Sequence, residues 1–135
     1  MPVIRDAENR RTETPNAVMT TFASPTQGGA GLSLWRVDME PGQAGPPHAF
    51  DAELVWTVLA GTATVRLGDE TFTITSGDTV IMPADVPRQV AAGTGLSVIA
   101  AAPAGARAYT IDDAVDVKPG CALPDGDKLL PAWIA

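Results

Sequence analysis

The chain alternates apolar and polar residues over short stretches, which is the pattern of strands that bury one face. The alternation is clearest in residues 62–67 and resumes in residues 71–75. The turn residues Gly68 and Asp69 separate these two runs. The pair is therefore predicted to form a β-hairpin.

Similar short runs recur along most of the chain, separated by turn-forming residues. The sequence holds 13 Gly and 12 Pro, which is too many interruptions for long helices. No segment shows a convincing helical period, so about eight strands are predicted, in an all-β barrel or sandwich. The further strand candidates are residues 17–23, 32–39, 54–59, 79–82, 86–91 and 96–101.

The chain of 135 residues is long enough for one domain with a core of its own. We divide it into an N-terminal arm with a first strand (residues 1–30), a barrel (31–110) and a C-terminal arm (111–135). That arm is rich in Pro and Gly but carries Leu129, Leu130, Trp133 and Ile134. These apolar side chains predict that the arm packs on the barrel or on a partner subunit.

Composition limits the possible partners and compartments. Nine Lys and Arg against 16 Asp and Glu give a net charge of −7, so no nucleic-acid partner is expected. No apolar run approaches the length of a membrane-spanning helix, and the N-terminus has no signal-peptide pattern, so no membrane partner is expected. With a single cysteine, Cys121, a cytoplasmic location is predicted.

The single histidine, His48, restricts the chemistry further. A metal site built on two or more imidazoles cannot form within one chain. We therefore expect neither a metal nor another cofactor.

Two motifs give the chain a family resemblance. The segment from Gly42 through His48 to Gly61, and the segment from Gly77 through Pro83 to Arg88, match the spacing of the two cupin motifs in order. The chain resembles a single-domain bacterial cupin of the cupin-2 type, over about residues 31–101. The resemblance implies a cupin (double-stranded β-helix, jelly-roll) barrel and a homodimer.

The same resemblance places the family's metal ligands on His48, Phe50, Leu54 and Arg88. Only the first can bind a metal in the family's manner, which implies a degenerate metal site. A metal-dependent oxygenase with an atypical site, held by His48, Glu53 and Asp51, is kept as a second alternative.

The positions that would surround a metal predict an apolar pocket with a few polar groups. We assign catalytic roles to His48, as a proton-transfer group, and to Arg88, as the holder of a developing anion. The predicted substrate-binding residues are Phe50, Leu54, Trp56, Trp35, Met82 and Glu53.

These assignments favour a metal-independent isomerase, cyclase or lyase that acts on an anionic or aromatic small molecule. The first alternative is a non-catalytic ligand-binding or sensor protein that uses the same pocket. A barrel whose interior is fully packed is also left open, because Phe50 and Leu54 add apolar volume where a metal and its waters would lie.

Overall fold

The computed structural model describes residues 3–111 and 128–135, and within them it is nearly all β. The predicted all-β class is confirmed. One turn of 3₁₀ helix, Asp6–Glu8, precedes the first strand. The strands of the described chain are β1 (Arg10–Glu13), β2 (Val18–Ala23), β3 (Leu32–Met39), β4 (His48–Phe50), β5 (Leu54–Leu67), β6 (Glu70–Thr75), β7 (Thr79–Met82), β8 (Arg88–Pro103) and β9 (Ala108–Thr110).

Two long strands, β5 and β8, organise one curled antiparallel sheet. They pair with each other from Val55↔Ala101 to Leu67↔Arg88. Beyond this ladder, β5 also pairs with β6 and β7, while β8 pairs with β3 and β4. The sheet is completed by β2 and β1 beyond β3, and by β9 beyond β4.

A glycine contact lets β5 and β8 bend together. Gly61 and Gly95 both have positive φ angles, of 87° and 102°. A Cβ on Gly61 would collide with the carbonyl oxygen of Gly95, so only glycine allows this close backbone approach. The register of the ladder shifts on both sides of Gly61. The bend allows one strand pair to serve both halves of the barrel.

The inward faces of the strands form one apolar core. Along β3, burial alternates strictly, with Trp35, Val37 and Met39 inside. The same alternation places Val98 of β8 and Val65 of β5 in the core, each with no exposed surface.

The C-terminal residues 128–135 form a strap that lies on the barrel. Three hydroxyls without solvent exposure donate hydrogen bonds to its backbone: Thr21 to the carbonyl of Trp133, Ser33 to Ile134 and Ser24 to Ala135. The Ile134 side chain is itself fully buried. The strap is therefore an integral part of the barrel wall.

Several strand bounds differ from the predictions. The predicted strands 54–59 and 62–67 form the single strand β5. The predicted strands 86–91 and 96–101 form the single strand β8, whose ends differ from the prediction by two residues each. In both cases the β5–β8 ladder continues across the glycines between the predicted strands. The short strands β1, β4 and β9 were not predicted, since three or four residues show no clear period. Within the described part of the chain, no helix has the length and apolar character needed to cross a membrane.

We predict that Ser33→Ala loosens the strap. The Ser33 Oγ lies 2.6 Å from the Ile134 carbonyl oxygen, and its removal leaves a buried acceptor unpaired. The free energy of unfolding should fall by about 1–3 kcal/mol in urea titrations. The control is Ser76→Ala, which removes an exposed hydroxyl–carbonyl bond to Leu59 and should cost less than about 0.5 kcal/mol. Equal effects of the two substitutions would contradict the prediction.

Candidate functional site

The barrel interior holds a cavity of about 340 Å³, which is within the range of small-molecule sites. Its walls come from β3, β4, β5, β9 and the strap. This finding excludes the fully packed interior that the sequence left open. In the described chain, the only ionisable side chains lining the cavity are His48 and Tyr109.

Aromatic side chains dominate the cavity wall. Trp35, Trp56 and Trp133 all line it, and they are the only tryptophans in the sequence. Phe50 adds a fourth ring. Flat rings on several walls suit a flat apolar ligand, which can stack on one face and meet the edges of other rings.

His48 lies at the start of β4 with its ring against the cavity. Its Nδ1 is 3.0 Å from the Pro46 carbonyl oxygen. Because a carbonyl only accepts, this contact assigns the proton of the neutral ring to Nδ1 and the lone pair to Nε2. The Nε2 atom makes no hydrogen bond within the described chain, which leaves it available to a ligand.

The surroundings of His48 favour its neutral form. Burial lowers the pKa of the imidazole below its ordinary value of 6.5, the Pro46 hydrogen bond partly opposes this, and the positive charge of Arg88 lowers it further. At pH 7 the ring is a proton acceptor at Nε2.

Arg88 is buried beside the cavity and does not line it. Only 2% of its surface is exposed. Its Nη2 donates to the carbonyls of Pro83 and Val86 at 2.9 and 3.0 Å, and its Cζ lies 5.7 Å from the centre of the Phe50 ring. Burial lowers the pKa of Arg88 to about 10, so the guanidinium is cationic at pH 7.

A tyrosine–aspartate pair stands next to this guanidinium. The Tyr109 hydroxyl donates to Asp85 Oδ1 at 2.9 Å, and the Asp85 amide donates to the Phe50 carbonyl at 2.7 Å. Burial, together with the Asp85 hydrogen bond, raises the pKa of Tyr109, so the phenol stays protonated. The short strand β9 sets the place of the phenol by pairing Tyr109 with Ala49 of β4.

The structure brings together five of the eight residues assigned to the site. His48, Phe50, Leu54, Trp56 and Trp35 all line the cavity.

The remaining three lie elsewhere. Met82 is fully buried in the core away from the cavity, Glu53 is exposed to solvent, and Arg88 lies against Phe50. Strand alternation explains Glu53, which precedes the inward-facing Leu54 and therefore points outward. The Arg88 side chain is directed by its own turn, because its guanidinium donates hydrogen bonds to the carbonyls of Pro83 and Val86.

The donor set does not fit a metal of the kind the family resemblance implies. Phe50 and Leu54 offer no donor atom, and the cationic Arg88 repels a metal ion. The atypical set with Glu53 and Asp51 does not assemble either: Glu53 is exposed and Asp51 accepts a hydrogen bond from the Arg107 amide. Among the described residues, no three His, Cys, Asp or Glu side chains meet in a possible metal site.

A second cavity of about 500 Å³ lies on the other side of Met39 and is more open. Its carboxylates include Glu13 and Asp38, which form ion pairs with Arg11 and Arg36. It contains none of the predicted site residues. The aromatic cavity, which holds five of the predicted site residues, is therefore the candidate site.

Comparison with known proteins agrees with this architecture. Residues 35–100 match the sequence model of the cupin domain. No curated protein sequence matches the chain.

Several solved structures share the fold. The polyketide cyclase RemF from Streptomyces resistomycificus has a TM-score of 0.70 at 18% identity, over 83% of this chain and 86% of that one. The cupin 2 domain-containing protein from Halorhodospira halophila has a TM-score of 0.69 at 21% sequence identity, and the match covers 76% of each chain. Vicilin from Corylus avellana has a TM-score of 0.68 at 21% sequence identity. That match covers 79% of this chain but only 36% of the vicilin chain. These likenesses show the fold, and the predicted cupin barrel is confirmed.

We predict that His48 makes the fold less stable in acid. Because its pKa is lower in the folded state, the unfolded chain binds the extra proton first as the pH falls. The contribution is complete above pH 6.5 and is lost as the pH falls through the folded pKa. Urea unfolding between pH 7.5 and 5 should show a steeper loss of stability for the wild type than for His48→Gln. Parallel pH profiles would contradict the assignment.

Proposed function

Because the chain contains a cupin domain, we propose that it is a metal-independent enzyme of the isomerase, cyclase or lyase type, acting on an uncharged aromatic small molecule. One observation carries the proposal. The barrel holds an aromatic cavity whose single imidazole has its Nε2 lone pair unbonded within the described chain. A lone proton acceptor in an apolar cavity is suited to moving a proton within a bound substrate.

The walls of the cavity narrow the substrate class. Within the described chain no Lys, Arg, Asp or Glu lines the cavity. An anionic substrate would lose its hydration there without gaining a charged partner, which is costly. Of the anionic and aromatic ligands expected from the sequence, the aromatic, uncharged class is the better match.

The proposed chemistry is a proton shuttle. His48 Nε2 takes a proton from a carbon next to a substrate carbonyl, and the electron pair of the C–H bond passes to the carbonyl oxygen as an enolate. The imidazolium then returns the proton to another atom of the same substrate. The net result is an isomerisation or ring closure that requires no oxidant and no second substrate.

Two observations support chemistry of this type. The donor set described above does not fit a metal, which favours chemistry carried out by the side chains alone. The polyketide cyclase RemF, which is named for ring closure, has a fold similar to that of this chain. The reaction proposed for this chain rests on its own cavity.

The non-catalytic alternative is favoured by one contact. The His48 ring is oriented by the Pro46 carbonyl, and no carboxylate bonds to it within the described chain. A general base is often supported by a carboxylate, which stabilises the imidazolium that forms. A binding protein needs no such support.

We also propose that the protein is a homodimer, as the family resemblance implies, and that it is located in the cytoplasm. Light scattering of the purified chain is expected to give the mass of two chains. A mass of one chain at micromolar concentration would contradict it.

The enzyme and the binding protein can be separated with a probe ketone. 1-Tetralone is uncharged and aromatic, and its exchangeable protons lie next to a carbonyl. We expect it to quench the tryptophan fluorescence, since all three tryptophans line the cavity. We also expect the wild type to accelerate hydrogen–deuterium exchange of these protons in D₂O, followed by NMR, with a loss of about 100-fold or more in His48→Gln.

Two controls distinguish the enzyme from the binding protein and test the proposed substrate class. His48→Gln should still bind 1-tetralone, and 1-naphthoate, an anion of similar ring size, should bind more weakly than the ketone. Binding without accelerated exchange in the wild type would support the binding protein. Tighter binding of the anion would overturn the proposed substrate class.

A further inference from the structure

His48 and Arg88 lie directly opposite each other on neighbouring strands. The β4–β8 pairing joins these two residues, and opposite residues of an antiparallel pair share one face of the sheet. Phe50 lies on that face too, two residues along β4. Three side chains that the resemblance assigns to metal positions are thus neighbours on one face of the sheet.

The Phe50 ring contacts both of the polar side chains. The His48 and Phe50 rings meet edge to face, with centroids 5.5 Å apart and planes 75° apart. The Arg88 guanidinium lies over the same Phe50 ring at 5.7 Å. An arginine over an aromatic face is a favourable contact that also limits the freedom of the ring.

The guanidinium is held in place by neutral groups. Its Nε and Nη2 donate to the carbonyl of Val86, and Nη2 also donates to Pro83. No carboxylate forms an ion pair with Arg88 among the described residues, and its Nη1 is buried without a partner. The nearby Asp85 carboxylate accepts its hydrogen bond from Tyr109. A buried charge without an ion-pair partner acts strongly on its neighbours, because little solvent screens it.

We propose that Arg88 is a positioning residue that acts on His48 through the shared face of β4 and β8: it fixes the Phe50 ring against the imidazole and places a buried positive charge beside it. The proposal deepens the proposed function and rests on it for its role in catalysis. It replaces the expectation that Arg88 binds a substrate anion directly.

The other charged groups near the site have hydrogen-bond or ion-pair partners of their own. Asp85 is bound by Tyr109, whose phenol is protonated. Asp51, which follows β4, accepts from the Arg107 amide and lies 3.9 Å from the Lys128 ammonium. Of all these groups, Arg88 is the one whose charge bears on His48, and it acts in the same direction as burial.

The test uses the only histidine of the chain, which gives a single imidazole spectrum. The pKa of His48 is measured by NMR titration in the ligand-free protein. Arg88→Met and Arg88→Gln both remove the charge, and the Gln side chain can still donate to the turn carbonyls. Each is expected to raise the pKa of His48 by about 0.5 unit or more. Thermal unfolding checks that the variants are folded. Because two neutral variants are made, the test still works if one of them does not fold.

Two further variants separate charge from packing. Arg88→Lys keeps the charge but not the planar group, and its His48 pKa should lie nearer to the wild type than to Arg88→Met. Arg66→Met removes an exposed charge one register position from Arg88 and should leave the His48 pKa unchanged. An unchanged or lower pKa in both neutral variants would overturn the proposal.

A second readout tests the link to catalysis. If His48 is the base in 1-tetralone exchange, the acid limb of the pH–rate profile should move to higher pH in Arg88→Gln by the shift that NMR measures. If no exchange is catalysed, the proposed function fails while the titration still decides the role of Arg88. A shifted titration with an unshifted rate profile would overturn the catalytic part of the inference.

Discussion

The antiparallel ladder between β5 and β8 is the interaction on which the rest of the barrel depends. Of the other strands of the described chain, all but β1 pair with one of these two or with a strand that does. The ladder must turn through the barrel wall without losing its hydrogen bonds, and the Gly61–Gly95 contact allows this. Because the start of β8 also pairs with β4, the same ladder fixes His48 opposite Arg88. The geometry of the site is thus set by backbone register, before any side chain is considered.

The interior that this ladder encloses is apolar. Phe50 and Leu54 occupy positions where the resemblance to cupins places metal ligands, and both are buried. An apolar interior has a low effective dielectric, so each polar group within it interacts more strongly with its neighbours. His48 responds with a lowered pKa, and Arg88 is stabilised by main-chain carbonyls instead of an anion. A single imidazole can therefore retain a defined protonation state in such an interior.

Much of this arrangement could be predicted from the sequence, and the limits have physical causes. The bounds of β3 follow directly from period-2 alternation and those of β7 from the turn residues on either side, whereas β4 and β9 are too short to show a period. Motif spacing located His48, but the direction of Arg88 depends on carbonyls in its own turn, which no pattern of side chains reveals. The wall contributed by Trp133 depends on hydroxyls about a hundred residues away in the chain. Short-range patterns therefore predict the strands, and long-range hydrogen bonds complete the cavity.

The turn between β7 and β8 shows how strain and order are combined around the site. Asp85 has a φ of 60°, a conformation that costs a residue with a side chain about 1 kcal/mol or more. Its amide donates to the Phe50 carbonyl of β4, and its carboxylate accepts from Tyr109 of β9. A glycine would relieve the strain but could not make the second bond. The same turn aims its carbonyls at Arg88, so one strained residue holds β4, β9 and the guanidinium in a single arrangement beside the imidazole.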